Sequence, residues 1–368
     1  MKYIGWKLML ALGVVVILSC EKDPDDLGGT YDKKALFTNY ADNVILPSYS
    51  NYEDKLDALE TTLTDFNEAP DTAALREVQT AVLDAYAAWK SCETFEKIGP
   101  AEGIEAISNT NTFPTDTNAV LLNIQNGSTG AAFIQTATNT QKGLPVLEYL
   151  FFSRQLSNEQ ILERFTTHAK AADFKAYATS VVTDLNRVYG FIKTNWVNYR
   201  EDFINAIGTD AGSSFSALVN TIALQTDNFK RHQIGIPAGY VGNVFVSVLP
   251  TKTEMYHANK SVEYMLLTLD NMERVMKGGS GPGLYDYLKH LNATSTIGGL
   301  LADDIMDQLA VCRQKAIACG PDYTATINAD KSKSDALFLE AKKLLVLIKV
   351  DVPSAVGVSI SYSDNDGD

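Results

Sequence analysis

The stretch Gly143-Leu144-Pro145-Val146-Leu147-Glu148-Tyr149-Leu150-Phe151-Phe152 sets one carboxylate inside an otherwise apolar run. Gly143 punctuates the preceding loop, and Pro145 suits the first helical position, where its missing N–H costs nothing. Leu144, Leu147, Phe151 and Phe152 surround Glu148 at spacings of three and four, the pattern of a buried helix. Near a helix N-terminus a negative charge is stabilised by roughly 0.3–1 kcal/mol. That is too little to offset burial, so Glu148 requires a partner or a purpose.

The stretch resembles the signature of the imelysin-like family of bacterial envelope proteins, Gly-x-His-x-x-Glu followed by an apolar helix. Gly143 and Glu148 match, and Pro145 stands in the histidine position. His and Glu three apart share a helix face and suit metal ligation or a paired base. Proline offers no nitrogen lone pair, so the departure argues against a metal site and against peptidase activity, while the fold is kept. Further blocks are similar to the family's in order and spacing. They are Trp89-Lys90 to Phe95 with Gly99-Pro100, Lys230 to Gly239, the Ser261 helix with Gly278-Gly279-Ser280-Gly281, and the end from Val350-Asp351-Val352 to Asp368.

The resemblance implies an all-α chain of two helical, four-helix-type bundles, with the motif residues at the groove between them. It aims Glu148, with Gly143 and Pro145, at that groove. Trp89 and Glu93, four apart on one helix face, and Lys230 and Arg231 from the second half join it as candidate ligand-binding residues. Trp89 on an apolar stripe also reads as core. Lys230-Arg231 at a helix end also reads as compensation of the helix dipole.

The chain ends point to the cell envelope. Lys2 and Lys7, an apolar run from Leu8 to Leu18 and Leu18-Ser19-Cys20 read as a secretory signal over residues 1–20. Its last residue resembles a lipobox cysteine, lipidated after cleavage. The apolar run is shorter than the ~20 residues of a membrane span. Residues 21–30 form a polar tether whose acidic start resembles a surface-export signal, so either face of the outer membrane is open. Removal of Lys2 and Lys7 leaves 29 basic residues against 45 acidic, a net charge of −16. No basic stripe is present, which excludes nucleic acid as a partner. The same charge repels an anionic bilayer, so attachment to the outer or inner membrane rests on the lipid at Cys20.

Almost every periodic segment reads as helix. Lys33 to Phe66 is one long pattern, kinked or split at Pro47. Asp71 caps a second helix with Leu75, Val78, Val82, Tyr86 and Trp89 on one face. A polar stretch from Ser108 to Thr140 holds a short helix around Val120 to Ile124. In the second half, helices are expected over Ala169 to Ile207, Ser213 to Gln233, Ser261 to Met276, Gly283 to Leu291, Leu300 to Cys319 and Ser334 to Lys349, with Asp351 to Ser363 extended. Each half repeats a long helix, a second helix and a Gly/Pro stop, at Gly99 and Gly235. The layout suggests duplication, with a first bundle over 31–156 and a second over 157–368, although generic helix stops recur by chance as well.

Other chemistry finds little support. There is no Gly-x-Ser-x-Gly elbow and no phosphate-binding loop. His168, His232, His257 and His290 are scattered, without a His-Glu-x-x-His pair. Cys92, Cys312 and Cys319 show no zinc spacing, and Cys312 and Cys319 on one helix would lie about 10 Å apart, too far for a disulfide. Asp364-Asn365-Asp366-Gly367-Asp368 begins like a calcium loop but lacks the distal glutamate.

The family's link with iron uptake implies a lipoprotein that binds a ligand or partner, iron or haem included, at the cleft, alongside an uptake transporter. Two alternatives stay open. One is an imelysin-type metallopeptidase with Glu148 as base or ligand, and the other is a scaffold that only docks a transporter.

Overall fold

The computed structural model describes residues 30–241 and 244–362. The signal segment, Cys20, the tether up to Gly29 and the acidic end Asp364–Asp368 lie outside the described residues. The fold is all-α. Among the described residues the only paired strands are Tyr240–Val241 and Val244–Phe245, two residues each and antiparallel. No described helix is long and apolar enough to cross a membrane.

The N-terminal helices follow from the sequence pattern. Asp32 caps Lys33–Asn39 by accepting from the Ala35 amide at 2.8 Å, and Asp71 caps Thr72–Cys92 by accepting from Ala74 at 2.8 Å. Leu75, Val78, Val82, Tyr86 and Trp89 are all buried, as their spacing predicts. Leu46–Glu68 pairs with Thr72–Cys92 through a short turn at Ala69–Asp71, and both bury one face.

Pro47 neither splits nor ends its helix. The chain widens into a π-helical turn over Tyr40–Ile45 and continues as Leu46–Glu68. The same device recurs before Pro237, at Phe229–Gly235, and before Pro353, at Leu347–Asp351. In each case the wide turn stops two residues short of the proline. A proline ring collides with the carbonyl four residues back, and an i→i+5 turn moves that carbonyl aside. The expectation of an extended segment from Asp351 is corrected in part, because Val352–Val356 is helical and regular structure ends at Gly357.

The 35-residue helix Ala171–Asn205 packs chiefly on the first half. Tyr189 donates to Glu53 at 2.8 Å, Asn186 to Glu60 at 2.8 Å, and Arg200 grips Asp42 through two nitrogens at 2.7 and 2.6 Å. Ser214–Asn228, Ser261–Lys277, Leu301–Ala318 and Ser332–Val346 form the remaining group. Ser261–Lys277 lies directly against Thr72–Cys92. Tyr264 donates to the Leu83 carbonyl at 2.7 Å, and Asn271 donates to the Lys90 carbonyl at 3.1 Å and to Thr94 at 2.7 Å. One continuous apolar core therefore runs through both halves. Cys92, Cys312 and Cys319 are free and buried within it.

Candidate functional site

Where the halves meet, the core turns polar. The stripe Val82–Tyr86 on the Thr72–Cys92 helix continues to Lys90 four residues later, so the helix periodicity drives an ammonium inward. A 3₁₀ turn, Glu93–Phe95, follows and holds Glu93 against it. The second half supplies Gln225 from Ser214–Asn228, Gln233 from the π-helical turn and Glu254 from the loop before Ser261. Lys90, Glu93 and Glu254 are 2%, 4% and 2% exposed, so three charges are removed from water together.

All of their oxygens are engaged. Lys90 Nζ lies 3.3 Å from Glu254 Oε1 and 3.4 Å from Oε2, and closer still to Glu93 Oε1. Glu93 also accepts from Gln225 at 2.8 Å and from Asn111 at 3.1 Å. Glu254 Oε1 accepts from Asn111 at 2.9 Å and from the Tyr86 hydroxyl at 3.2 Å, and Oε2 accepts from Gln233. Burial alone would lower the Lys90 pKa, but the Glu254 and Glu93 carboxylates beside it raise it above the usual lysine value. Burial pushes Glu93 above the usual carboxylate range, against the pull of Lys90. Two carboxylates and one ammonium leave the cluster with a formal charge of −1.

Beside this cluster lies a cavity of about 220 Å³, with Lys90, Glu93, Asn111, Gln225, Gln233 and Glu254 on its polar wall and Phe113, Phe229 and His232 on another. The His232 and Phe113 rings meet nearly at right angles, with centroids 6.5 Å apart.

The residues singled out in the sequence divide around this site. Glu93 is in the cluster. Trp89, its expected companion, packs into the core against Tyr52 with ring centroids 5.2 Å apart. Lys230 pairs with Asp227 at 2.9 Å, and Arg231 is half-buried between Lys230 and the cavity residue His232. Gly143 caps the Leu144–Phe151 helix at φ 83°, a left-handed conformation suited to glycine, and a Cβ there would sit 2.5 Å from the Thr110 carbonyl oxygen. Pro145 is buried in the first turn of that helix.

Glu148 is buried, and its side chain does not line the cavity. Its Oε1 accepts from the Ala258 amide at 2.8 Å, with the His257 amide next to it in the chain. Those amides belong to the loop that begins with Glu254. Burial pushes the Glu148 pKa up to about 8, against the pull of the two amides, with the Glu254 charge adding to the rise. The carboxyl is therefore protonated at neutral pH. Burial, with Arg164 and Arg154 nearby, depresses the neighbouring His257 to about 4.

Lys90, Asn111, Gln225, Gln233 and Glu254 were not anticipated. Lys90 carried a readable signal, since a lysine on a buried stripe three residues before Glu93 requires an anionic partner. Glu254 carried none, because it comes from a loop more than 160 residues away in sequence. Among the described residues, no three His, Cys, Asp or Glu side chains are grouped to hold a metal ion.

A family model described as Imelysin matches residues 45–347, well over half of the chain. No curated protein matches. Two solved structures share the fold over most of their length. One is an imelysin-like protein from Psychrobacter arcticum, 18% identical, with a TM-score of 0.70 over 90% of this chain and 97% of that one. The other is described as an iron-regulated protein A precursor from Parabacteroides distasonis, 14% identical, with a TM-score of 0.71 over the same shares of the two chains.

Proposed function

The chain belongs to the imelysin family, and we propose that it is a lipid-anchored cell-envelope protein that binds a compact, polar iron chelate in the cavity between its halves. The observation that carries this reading is the Lys90–Glu93–Glu254 cluster, built from both halves and set on the wall of a cavity. Burying three charges costs several kcal/mol per ion before pairing. Well-packed apolar side chains would hold two bundles together as firmly, so a retained ionic cluster beside a cavity supports ligand recognition.

Iron enters the reading from the solved structure described as iron-regulated and from the chemistry of hard cations, which favour carboxylate oxygen. Every carboxylate oxygen of Glu93 and Glu254 already accepts a hydrogen bond from the protein. Bare ferric ion would have to displace those donors, whereas a chelate brings its own ligands and needs only hydrogen bonds and charge. A volume of about 220 Å³ is below the ~300–1,000 Å³ of pockets for drug-sized ligands, which favours a small chelate over haem. Delivery to an uptake transporter in the same membrane is part of the proposal.

The metallopeptidase reading gains less support. Glu148 does not line the cavity and its Oε1 is taken up by the Ala258 amide, so it is poorly placed to act as a base on a substrate held there.

Calorimetry with ferric citrate, haemin and ferric chloride tests the proposal. Ferric citrate is expected to bind through its own carboxylates to amide donors of the wall, with E93Q and E254Q each weakening it by about tenfold as they release Gln225 and Gln233, which those glutamates hold in place. No heat from any of the three, with unchanged growth of a deletion strain under iron starvation, would sink it. Cys20→Ala is expected to release the protein from the membrane fraction.

A further inference from the structure

We propose that Glu148 is a positioning residue: by binding the Ala258 amide of the turn that follows Glu254, it seats Glu254 in the cavity and acts on the ligand only through that turn. This rests on the reading of the cavity as a ligand site.

The turn is held in a conformation it would not adopt alone. Met255 and Asn259 both have left-handed backbones, at φ 55° and 57°. Asn accepts this conformation readily, but for Met255 it is strained and persists only where the surroundings over-determine it. The restraints are visible. The Lys260 amide donates to the Met255 carbonyl at 3.2 Å, the Ser261 hydroxyl donates to the Glu254 carbonyl at 2.7 Å, and Arg154 Nη1 donates to Asn259 Oδ1 at 2.6 Å. Those contacts secure the two ends and the outer side. Glu148 takes the middle of the turn, accepting from the Ala258 amide at 2.8 Å.

The consequence lies at Glu254. It is the residue before the first left-handed position, and its carboxylate gathers Lys90, Asn111, Tyr86 and Gln233. A turn free to relax at Met255 would swing that carboxylate away from its donors. Removing the Glu148 acceptor also strands the Ala258 amide, which drives the turn to find another partner. The family's motif glutamate thus stands one step behind the ligand, which accounts for its place outside the cavity wall.

The test uses the full chain in three variants, E148A, E148Q and E254Q, with E148A/E254Q as the double. Backbone hydrogen exchange of 255–260 reports the turn, and calorimetry with ferric citrate reports the site. E148Q keeps an acceptor oxygen and is expected to retain protection. E148A is expected to raise exchange of the segment by about tenfold or more, as local opening becomes easier. It should also weaken ferric citrate by several fold in the wild-type background but add little on top of E254Q, since coupled positions are non-additive. Additive losses would show a merely structural role and overturn the proposal, as would unchanged exchange in E148A. Should E148A fail to fold, E148D, with its carboxyl withdrawn by one methylene, is read in its place. If ferric citrate does not bind the wild-type chain, the ligand reading fails. The positioning claim is then judged on exchange and on whether Glu254 still contacts Lys90 and Gln233 in a crystal structure of E148A.

Discussion

Lys90, from the first half of the chain, holds its Nζ 3.3 Å from Glu254 Oε1 of the second half, with both side chains about 3% exposed. The pair joins the halves at the cavity wall, and Glu93 completes it from the Lys90 side.

Lys90→Met removes the only cation of the cluster and leaves two buried carboxylates with neutral donors alone, Asn111, Gln225, Gln233 and Tyr86. Breaking a buried ion pair by deleting one partner typically costs roughly 3–5 kcal/mol, whereas replacing all members with neutral groups is far milder. K90M is expected to lose about that much in urea unfolding, and K90M/E93Q/E254Q is expected to recover most of it. A K90M variant within about 1 kcal/mol of wild type, the range of surface pairs, would show that the cluster contributes nothing to joining the halves.

What the sequence disclosed and what it hid separate along physical lines. Helix faces were legible because they are periodic: Leu75, Val78, Val82, Tyr86 and Trp89 needed no knowledge of their partners to be placed inside. Gly143 and Pro145 were legible because backbone conformation restricts residue choice locally. The helical second half was largely legible too, apart from the short helices Tyr323–Ala329, which was not anticipated, and Val352–Val356, which falls in a segment expected to be extended. Pro47 was legible as an interruption of the helix but not as a π-helical turn, which leaves no pattern in the residues before the proline. The site was half-legible. Glu93 was found with the wrong companion, since Trp89 and Lys90 are adjacent and only the fold shows which one meets it. Glu254 comes from an aperiodic loop and meets Lys90 across 164 residues, a pairing no local rule reaches.

Gly143 gives the second prediction. Its φ of 83° and the 2.5 Å separation between a built Cβ and the Thr110 oxygen act together, one on the backbone and one on its neighbour. Gly143→Ala is expected to lower stability by about 1–3 kcal/mol, the range for a strained left-handed residue. The loss should read as a lower urea midpoint with an unchanged m-value. A change under about 0.5 kcal/mol, ordinary for a surface position, would mean that the entry to the Leu144–Phe151 helix is free to rearrange.

The third prediction concerns pH and follows from Glu148. Burial raises its pKa from the ordinary 4.5 to about 8. The folded chain therefore keeps a proton that the unfolded chain releases above about pH 4.5. Its contribution to stability is full below that pH and is lost progressively as pH climbs to about 8. Burial lowers His257 from 6.5 to about 4, which has the opposite sense: its contribution is full above about pH 6.5 and is lost as pH falls toward 4. Between 4.5 and 6.5 the two oppose each other, and above 6.5 the Glu148 loss stands free of His257. Glu96, raised by burial to about 7, adds to that loss at its lower end. The other groups facing Glu148 are Glu254, Tyr86 and Tyr264, and both tyrosines are raised out of this window. Glu148→Gln cannot ionise, so the difference between wild type and E148Q cancels His257 and Glu96. That difference should fall by at most about 1.4 kcal/mol per pH unit, one proton's worth, from pH 5 to about 8 and then level off. Urea unfolding at unit steps from pH 5 to 9 measures it. Parallel profiles for the two proteins would mean that Glu148 is ionised in the folded chain, and its bond to Ala258 would then be charge-assisted at neutral pH.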